Sequence, residues 1–314
     1  MGKKTKINPV KDRTKGIGGS DVAAILGVSR YSSPYTVYLE KTGQVKPQED
    51  IVEMLDENET RFDAMGWGNR LESPVAVYFT EVTGIKTRRW NKRIHHKEYD
   101  YMNANVDRMI VGEPAGLEIK TSTAYKLNDF EENIPIEYQC QIQHYMAVTG
   151  YDKWYFCVLI GGNSFRWRPV KRDNDFIDNI LIPKCKEFWF DYVLARKEPP
   201  VTSLDHDVIA PYGSEQTEIF LPLEIEDHVN QFLSYKKLER EVKEKINLHK
   251  AYIKKGLLDG KGNFACTEKA KITYKTQERS TVDTQKLKKE HPDVYENCKK
   301  VSTSNVFNVK ELKK

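Results

Sequence analysis

The stretch that most constrains this chain runs from Tyr101 to Thr121, YMNANVDRMIVGEPAGLEIKT. Two apolar-rich runs flank a Gly112–Gly116 segment holding Pro114, which predicts a β-hairpin with a loose turn. Asp107 falls in the first strand, and Glu118 and Lys120 fall in the second. Glu118 and Lys120 are two apart, so both side chains point to one face of the sheet. Ten residues separate Asp107 from Glu118, enough for one strand to end and its neighbour to return alongside. Two carboxylates and an amine are thereby expected to meet beside a sheet.

Those three groups suit metal-assisted phosphodiester cleavage. Mg²⁺ takes oxygen ligands, commonly one or two carboxylates plus water and substrate phosphate. When bound it supplies hydroxide near neutral pH and offsets charge on phosphoryl oxygens. A neighbouring amine can hold the attacking water and balance the growing negative charge. The carbonyl of Ile119 is available as a further oxygen ligand. E-x-K is also a common tripeptide, and the same three residues are equally what an exposed pair of strands carries.

The rest of the chain supplies context. Its 314 residues accommodate one large domain or two smaller ones, with 31% charged and 39% hydrophobic residues. The net charge of +4 permits a nucleic-acid partner without demanding one, since a basic groove can sit inside a near-neutral total. No apolar run reaches the roughly 18 residues of a membrane span, and the charged start has no apolar stretch behind it, so neither a membrane helix nor a secretory signal is expected. Five scattered cysteines with no C-x-x-C pair point away from disulfides, zinc and an iron–sulfur cluster, and towards a reducing cytoplasm.

Near the start, Arg13 precedes GIGGSDVAAILG, read as a glycine approach, a Ser20 N-cap, Asp21 in the first turn and a stop at Gly27. Ser20 is either that cap alone or also a phosphate ligand at the helix start, with Arg13 as counter-charge. A second helix is capped by Ser33, opened by Pro34 and ended by Gly43. Residues 48–59 read as an acidic solvated loop or short exposed helix. In MGWGNRLESPVAVYFTEVTG, Leu71, Val75, Tyr78, Phe79 and Val82 form a core stripe. Glu72, placed at the start of that helix, is either a first-turn acid favoured by the helix dipole or a third carboxylate aimed at the hairpin, able to hold a second metal or a water. The basic run 88–98 is either solvated surface or a phosphate contact. Adjacent His95 and His96 cannot share a strand face and are not read as a metal pair.

After the hairpin, NIPIEYQCQIQHYMAVTG predicts a helix opened by Pro135 and ended by Gly150. Gln139 and Gln143 share a face with Met146, while Tyr138, Ile142, Tyr145 and Thr149 form another. The glutamines 139, 141 and 143 are either a solvent-facing stripe or amide contacts to a nucleic-acid backbone. A second hairpin turns at Gly161–Asn163, and a further helix spans about 174–196.

Taken in order, RTKGIGGSD, GWGNRLE, NVDRM, LEIKT and IPIEYQCQIQHYMAVTG resemble the YqaJ-like viral recombinase family, phage-type exonucleases similar to phage lambda exonuclease within the PD-(D/E)xK nuclease superfamily. The resemblance covers about residues 12–200. It implies an α/β (α+β) restriction-endonuclease-like core, a central mixed β-sheet flanked by helices. It further implies a Mg²⁺-dependent 5′-to-3′ exonuclease on double-stranded DNA ends, with Mn²⁺ as a possible substitute, a homotrimer ring and a single-strand annealing protein as partner. By position, Asp107 and Glu118 resemble the metal carboxylates, Ile119 the carbonyl ligand and Lys120 the catalytic lysine. Glu72 resembles the acid on the preceding helix, and Gln143 the glutamine near the terminal nucleotide. Arg13 and Ser20 match the pair that binds the 5′ phosphate, and Asn105 and Gln141 are placed with them as DNA contacts. The sequence departs from the family pattern at Val106, where proline is common, at Arg108, where glycine is usual, and at Asn105, where the lambda enzyme has serine.

The core is expected to span 1–212 and a C-terminal module 213–314. That module reads as one long charged helix over 223–255, a strand-like region, a short helix near 284–291 and a strand-like tail. It is expected to complete the fold, with DNA guidance or partner recruitment as the second reading. Two rival functions remain: a restriction or repair endonuclease of the same superfamily, and a catalytically idle DNA-binding protein.

Overall fold

The computed structural model describes residues 14–45, 64–209, 218–299, 304 and 306–309. Arg13 and the acidic stretch 48–59 lie outside the described residues. The chain divides into two units, Met1–Ile209 and Ala210–Lys314.

Local signals set the first elements of unit one. Helix α1 spans Gly19–Ile25 and α2 spans Pro34–Thr42. In α2 the Ser33 hydroxyl accepts from the Thr36 amide at 3.0 Å, Pro34 opens the helix, and Gly43 closes it at φ 74°. Helix α3 spans Ala64–Thr83. It buries Val75, Ala76 and Phe79, whereas Tyr78 and Val82 are about half exposed, so its core stripe is narrower than the spacing predicted. The exposed Tyr78 instead meets Phe165 edge-on at 5.1 Å between ring centroids.

Strands β1 (Thr87–Arg89), β2 (Ile94–His95), β3 (Asn103–Ala104), β4 (Arg108–Ile110) and β5 (Ala115–Ser122) follow. Helix α4 is Ile136–Thr149, and β6 (Lys153–Ile160) and β7 (Ser164–Lys171) form the second hairpin. Five strands make one mixed sheet in the order β1-β4-β5-β6-β7. The β4–β5 and β6–β7 pairs are antiparallel; β5 and β6 run parallel, which requires the crossover that contains α4. Strands β2 and β3 form a separate pair. Helical turns continue from Asn174 to Leu194, with π segments at Ile177–Leu181 and Phe188–Leu194.

The sheet separates two apolar clusters. Leu117 and Ile119 of β5 pack with Val75, Ala76 and Phe79 of α3 on one face. Phe156, Val158 and Ile160 of β6 pack with Ile142, Tyr145 and Met146 of α4 on the other. Strand alternation therefore sends Glu118 and Lys120 to the α4 face. Gly116 is held by close approach: a Cβ there would lie 2.1 Å from the ring of fully buried Trp154. Gly116→Ala is expected to destabilise unit one by about 1–3 kcal/mol, as overpacked cores do. Urea unfolding measures this, and an unchanged midpoint would contradict the packing argument.

In unit two, the long helix runs Leu223–Asp259, 37 residues. Strands Phe264–Cys266 and Lys271–Thr273 pair antiparallel, and helices Thr284–Glu290 and Pro292–Cys298 follow. The second of these helices is additional to the expected pattern. The described residues of the tail, 304 and 306–309, are not in a strand. No helix among the described residues is long and apolar enough to cross a membrane.

Candidate active site

The β4–β5 hairpin brings the expected acids together with one adjustment. Asp107 sits in the bend immediately before β4 rather than inside the strand. From there its Oδ2 accepts the main-chain N–H of Ile119 at 2.8 Å, which ties it to the middle of β5. Lys120 Nζ lies 2.5 Å from Glu118 Oε1. Gln141 Nε2 donates to the same Glu118 oxygen at 2.8 Å and to the Tyr145 hydroxyl at 2.7 Å. The spacing of Gln141 and Tyr145, one helical turn apart, is the sequence signal that would have placed both here.

Burial governs the electrostatics. Glu118 is 1% exposed. Asp107 is pushed up from 3.8 to about 8, first by loss of water and then by the charge of Glu118, with Lys120 and the Ile119 amide pulling the other way. Burial opposes the charge on Lys120, but Glu118 and Asp107 beside it prevail and hold the amine above the ordinary lysine range. Tyr145 is raised well above its usual value by burial and by the two carboxylates.

These groups line a cavity of about 300 Å³ together with Ser20, Asp21, Lys41, Arg93 and Asn105. Ser20 reaches this cavity with its side chain exposed, but it is not the helix cap. Gly18 occupies the cap, and its N–H donates to Asp21 Oδ2 at 2.8 Å. Gly19 also lines this cavity and packs closely there: a Cβ would stand 2.6 Å from the Tyr145 ring. Asn105 Oδ1 accepts from Arg93 Nε at 3.4 Å. Sequence reasoning missed the buried ion pair between Lys41 and Asp21, 2.5 Å apart, because it joins two helices by a contact no local pattern records.

Two expected residues stand elsewhere. Gln143 is buried on another side of α4, where its Nε2 donates to the Lys171 carbonyl at 2.8 Å and its Oε1 accepts the Asp173 N–H at 3.0 Å. It ties the end of β7 to α4 and does not line the cavity of Asp107 and Glu118. Neither is the glutamine run a solvated stripe, because Gln141 and Gln143 are both 8% exposed. Glu72 lies in the middle of α3, so the first-turn dipole reading does not hold. Its carboxylate is ion-paired with buried Arg108.

The donor set fits a hard divalent cation. Glu118 Oε2 is buried without a hydrogen-bond partner, a costly state for a carboxylate oxygen unless a cation meets it. Asp107 and the Ile119 carbonyl are the other oxygens of the right chemistry at this point. Among the described residues no group of three or more His, Cys, Asp or Glu side chains forms a metal cluster, so a cation here would draw on two carboxylates, the carbonyl and water.

The fold is a mixed α/β sheet flanked by helices, with two acids and a lysine brought together across adjacent strands. The sequence model of the YqaJ-like viral recombinase domain matches residues 10–152. The YqaJ protein of Bacillus subtilis (strain 168) is 37% identical over 309 residues, covering 96% of this chain and 93% of that protein. The chain belongs to the YqaJ-like viral recombinase family. Among solved structures, an alkaline exonuclease, LHK-Exo, from Laribacter hongkongensis aligns with a TM-score of 0.45 at 17% identity, over 60% of this chain and 92% of that one. A phage related exonuclease from Haemophilus somnus 129PT aligns with a TM-score of 0.40 at 12% identity, over 58% and 96%.

Proposed function

We propose that this chain is a Mg²⁺-dependent 5′-to-3′ exonuclease that degrades one strand of linear duplex DNA and leaves 3′ single-stranded tails for annealing. The observation that carries the reading is the buried Glu118 with one oxygen unpartnered, set beside Asp107 and the Lys120 amine. Asp107, Glu118 and the Ile119 carbonyl would hold a cation, Mg²⁺ or Mn²⁺, which when bound would supply activated water and charge neutralisation at the scissile phosphate.

The protein's own groups do the rest. Lys120 orients the attacking water and balances charge on the phosphoryl oxygens. Gln141 holds Glu118 in its rotamer, and Tyr145 anchors Gln141 in turn. Ser20 and Asn105, on the same cavity, contact the terminal nucleotide, with Arg13 as the counter-charge that the resemblance implies. A ring of three copies around the duplex would make degradation processive, and a single-strand annealing protein would take the exposed strand.

The test is linear duplex DNA with Mg²⁺, labelled at either end, with and without a 5′ phosphate, beside a closed circle. Loss of the 5′-ended strand from linear DNA only, faster with the phosphate, is the expected result. Cutting of the circle would establish an endonuclease instead. No cutting with Mg²⁺ or Mn²⁺ would identify an idle binding protein.

A further inference from the structure

Arg108 follows Asp107 directly and opens β4. Its register opposite Leu117 turns it to the α3 side of the sheet, away from Glu118 and Lys120. The side chain is 6% exposed. Its guanidinium donates to Glu72 Oε1, to Ser73 Oγ at 2.9 Å and to the Asp107 carbonyl at 2.8 Å. A carboxylate, a hydroxyl and a carbonyl thus converge on a fixed positive charge one residue from a candidate metal ligand. These are oxygens of the kinds a hard cation takes. A divalent ion recruited to Glu72 would have to displace the guanidinium and leave a buried arginine without its carboxylate, the costly way to break a buried ion pair.

We propose that Arg108 stands where a second divalent ion would otherwise bind, so that the centre takes one divalent cation per chain. Glu72 is then a positioning residue that fixes Arg108, and not a metal ligand. The inference rests on the nuclease reading above, because it presupposes a first cation at Asp107 and Glu118.

The experiment is a Mn²⁺ titration of the full chain without DNA, with free ion counted by its electron paramagnetic resonance signal. The wild type is expected to bind one Mn²⁺ per chain. Glu72→Gln keeps an acceptor for Arg108 and is expected to bind one as well, with affinity lowered by no more than about 10- to 100-fold, the scale of an outer-shell change. Arg108→Gly is expected to bind two. Two ions on the wild type would overturn the inference and leave the nuclease reading standing. Loss of the bound ion in Glu72→Gln would overturn it by making Glu72 a ligand. A folded Arg108→Gly chain that still binds one would overturn the role given to Arg108; should that variant fail to fold, the wild type and Glu72→Gln decide. A wild type that binds none would overturn the metal-dependent reading together with this one.

Discussion

Replacing Lys120 with Met is expected to lower the rate of the proposed strand cleavage by at least about a thousandfold and to leave the fold in place. Loss of one preorganised donor at a developing oxyanion costs about 10²–10³ in rate. In the proposed mechanism Lys120 also orients water, so its loss is expected at or beyond the upper end. The fold survives because the side chain is a quarter exposed and its methylene stem is matched by methionine. Single-turnover rates with protein in excess measure the chemical step, and near-ultraviolet circular dichroism checks the packing. A variant that keeps a tenth of the wild-type rate would remove Lys120 from the chemistry. Ser20→Ala provides the contrast, with a loss of about tenfold confined to 5′-phosphorylated ends, the size of one hydrogen bond to a charged group.

The second large effect is on pH. Asp107 holds its proton up to about pH 8 in the metal-free chain, and a metal ligand must be deprotonated. Mg²⁺ affinity is therefore expected to rise about tenfold per pH unit below 8 and to level off above it, with close to one proton released per ion bound. Calorimetry in buffers of different ionisation enthalpy counts that proton. The sign for stability is opposite. Because the folded value lies above 3.8, the folded state binds more protons than the unfolded one between about pH 4 and 8. The metal-free chain loses stability from this group as pH rises through that window. Asp107→Asn is expected to remove the slope and to stabilise the metal-free chain at pH 8 relative to the wild type, which urea unfolding at pH 5 and pH 8 would measure. Metal affinity that is flat from pH 6 to 8, with no proton released, would show that Asp107 is not a ligand.

What was legible in the sequence was local. The hairpins turned at Gly112 and Gly161, the Ser33 cap and the Gly43 and Gly150 stops each depend on a few neighbouring residues, and each is found. The pairing of Glu118 with Lys120 follows from strand alternation alone. The parts that were not legible depend on what a helix meets. Choosing Gln141 over Gln143 requires the rotation of α4 about its axis relative to the sheet, and both residues proved buried, for different reasons. The role of Glu72 required knowing that Arg108 turns towards α3. Tyr78 and Val82 sit at helical spacing from the core yet stay about half exposed, Tyr78 meeting Phe165 only edge-on. The close packing of Tyr145 on Gly19 was likewise not legible, because it depends on where α4 lies against α1.

The parallel pairing of β5 with β6 bears on how the protein is made. The β4–β5 hairpin closes over a short loop and can form as soon as it leaves the ribosome. Its partner strand β6 begins only at Lys153, beyond the whole of α4. Until then one edge of β5 offers unpaired amide and carbonyl groups, and such an edge recruits other chains. Glu118 and Lys120 place charges along that edge, and charges on an open strand edge discourage stray pairing. Variants that replace them with apolar residues are expected to yield less soluble protein when synthesis is fast, and to recover as translation is slowed.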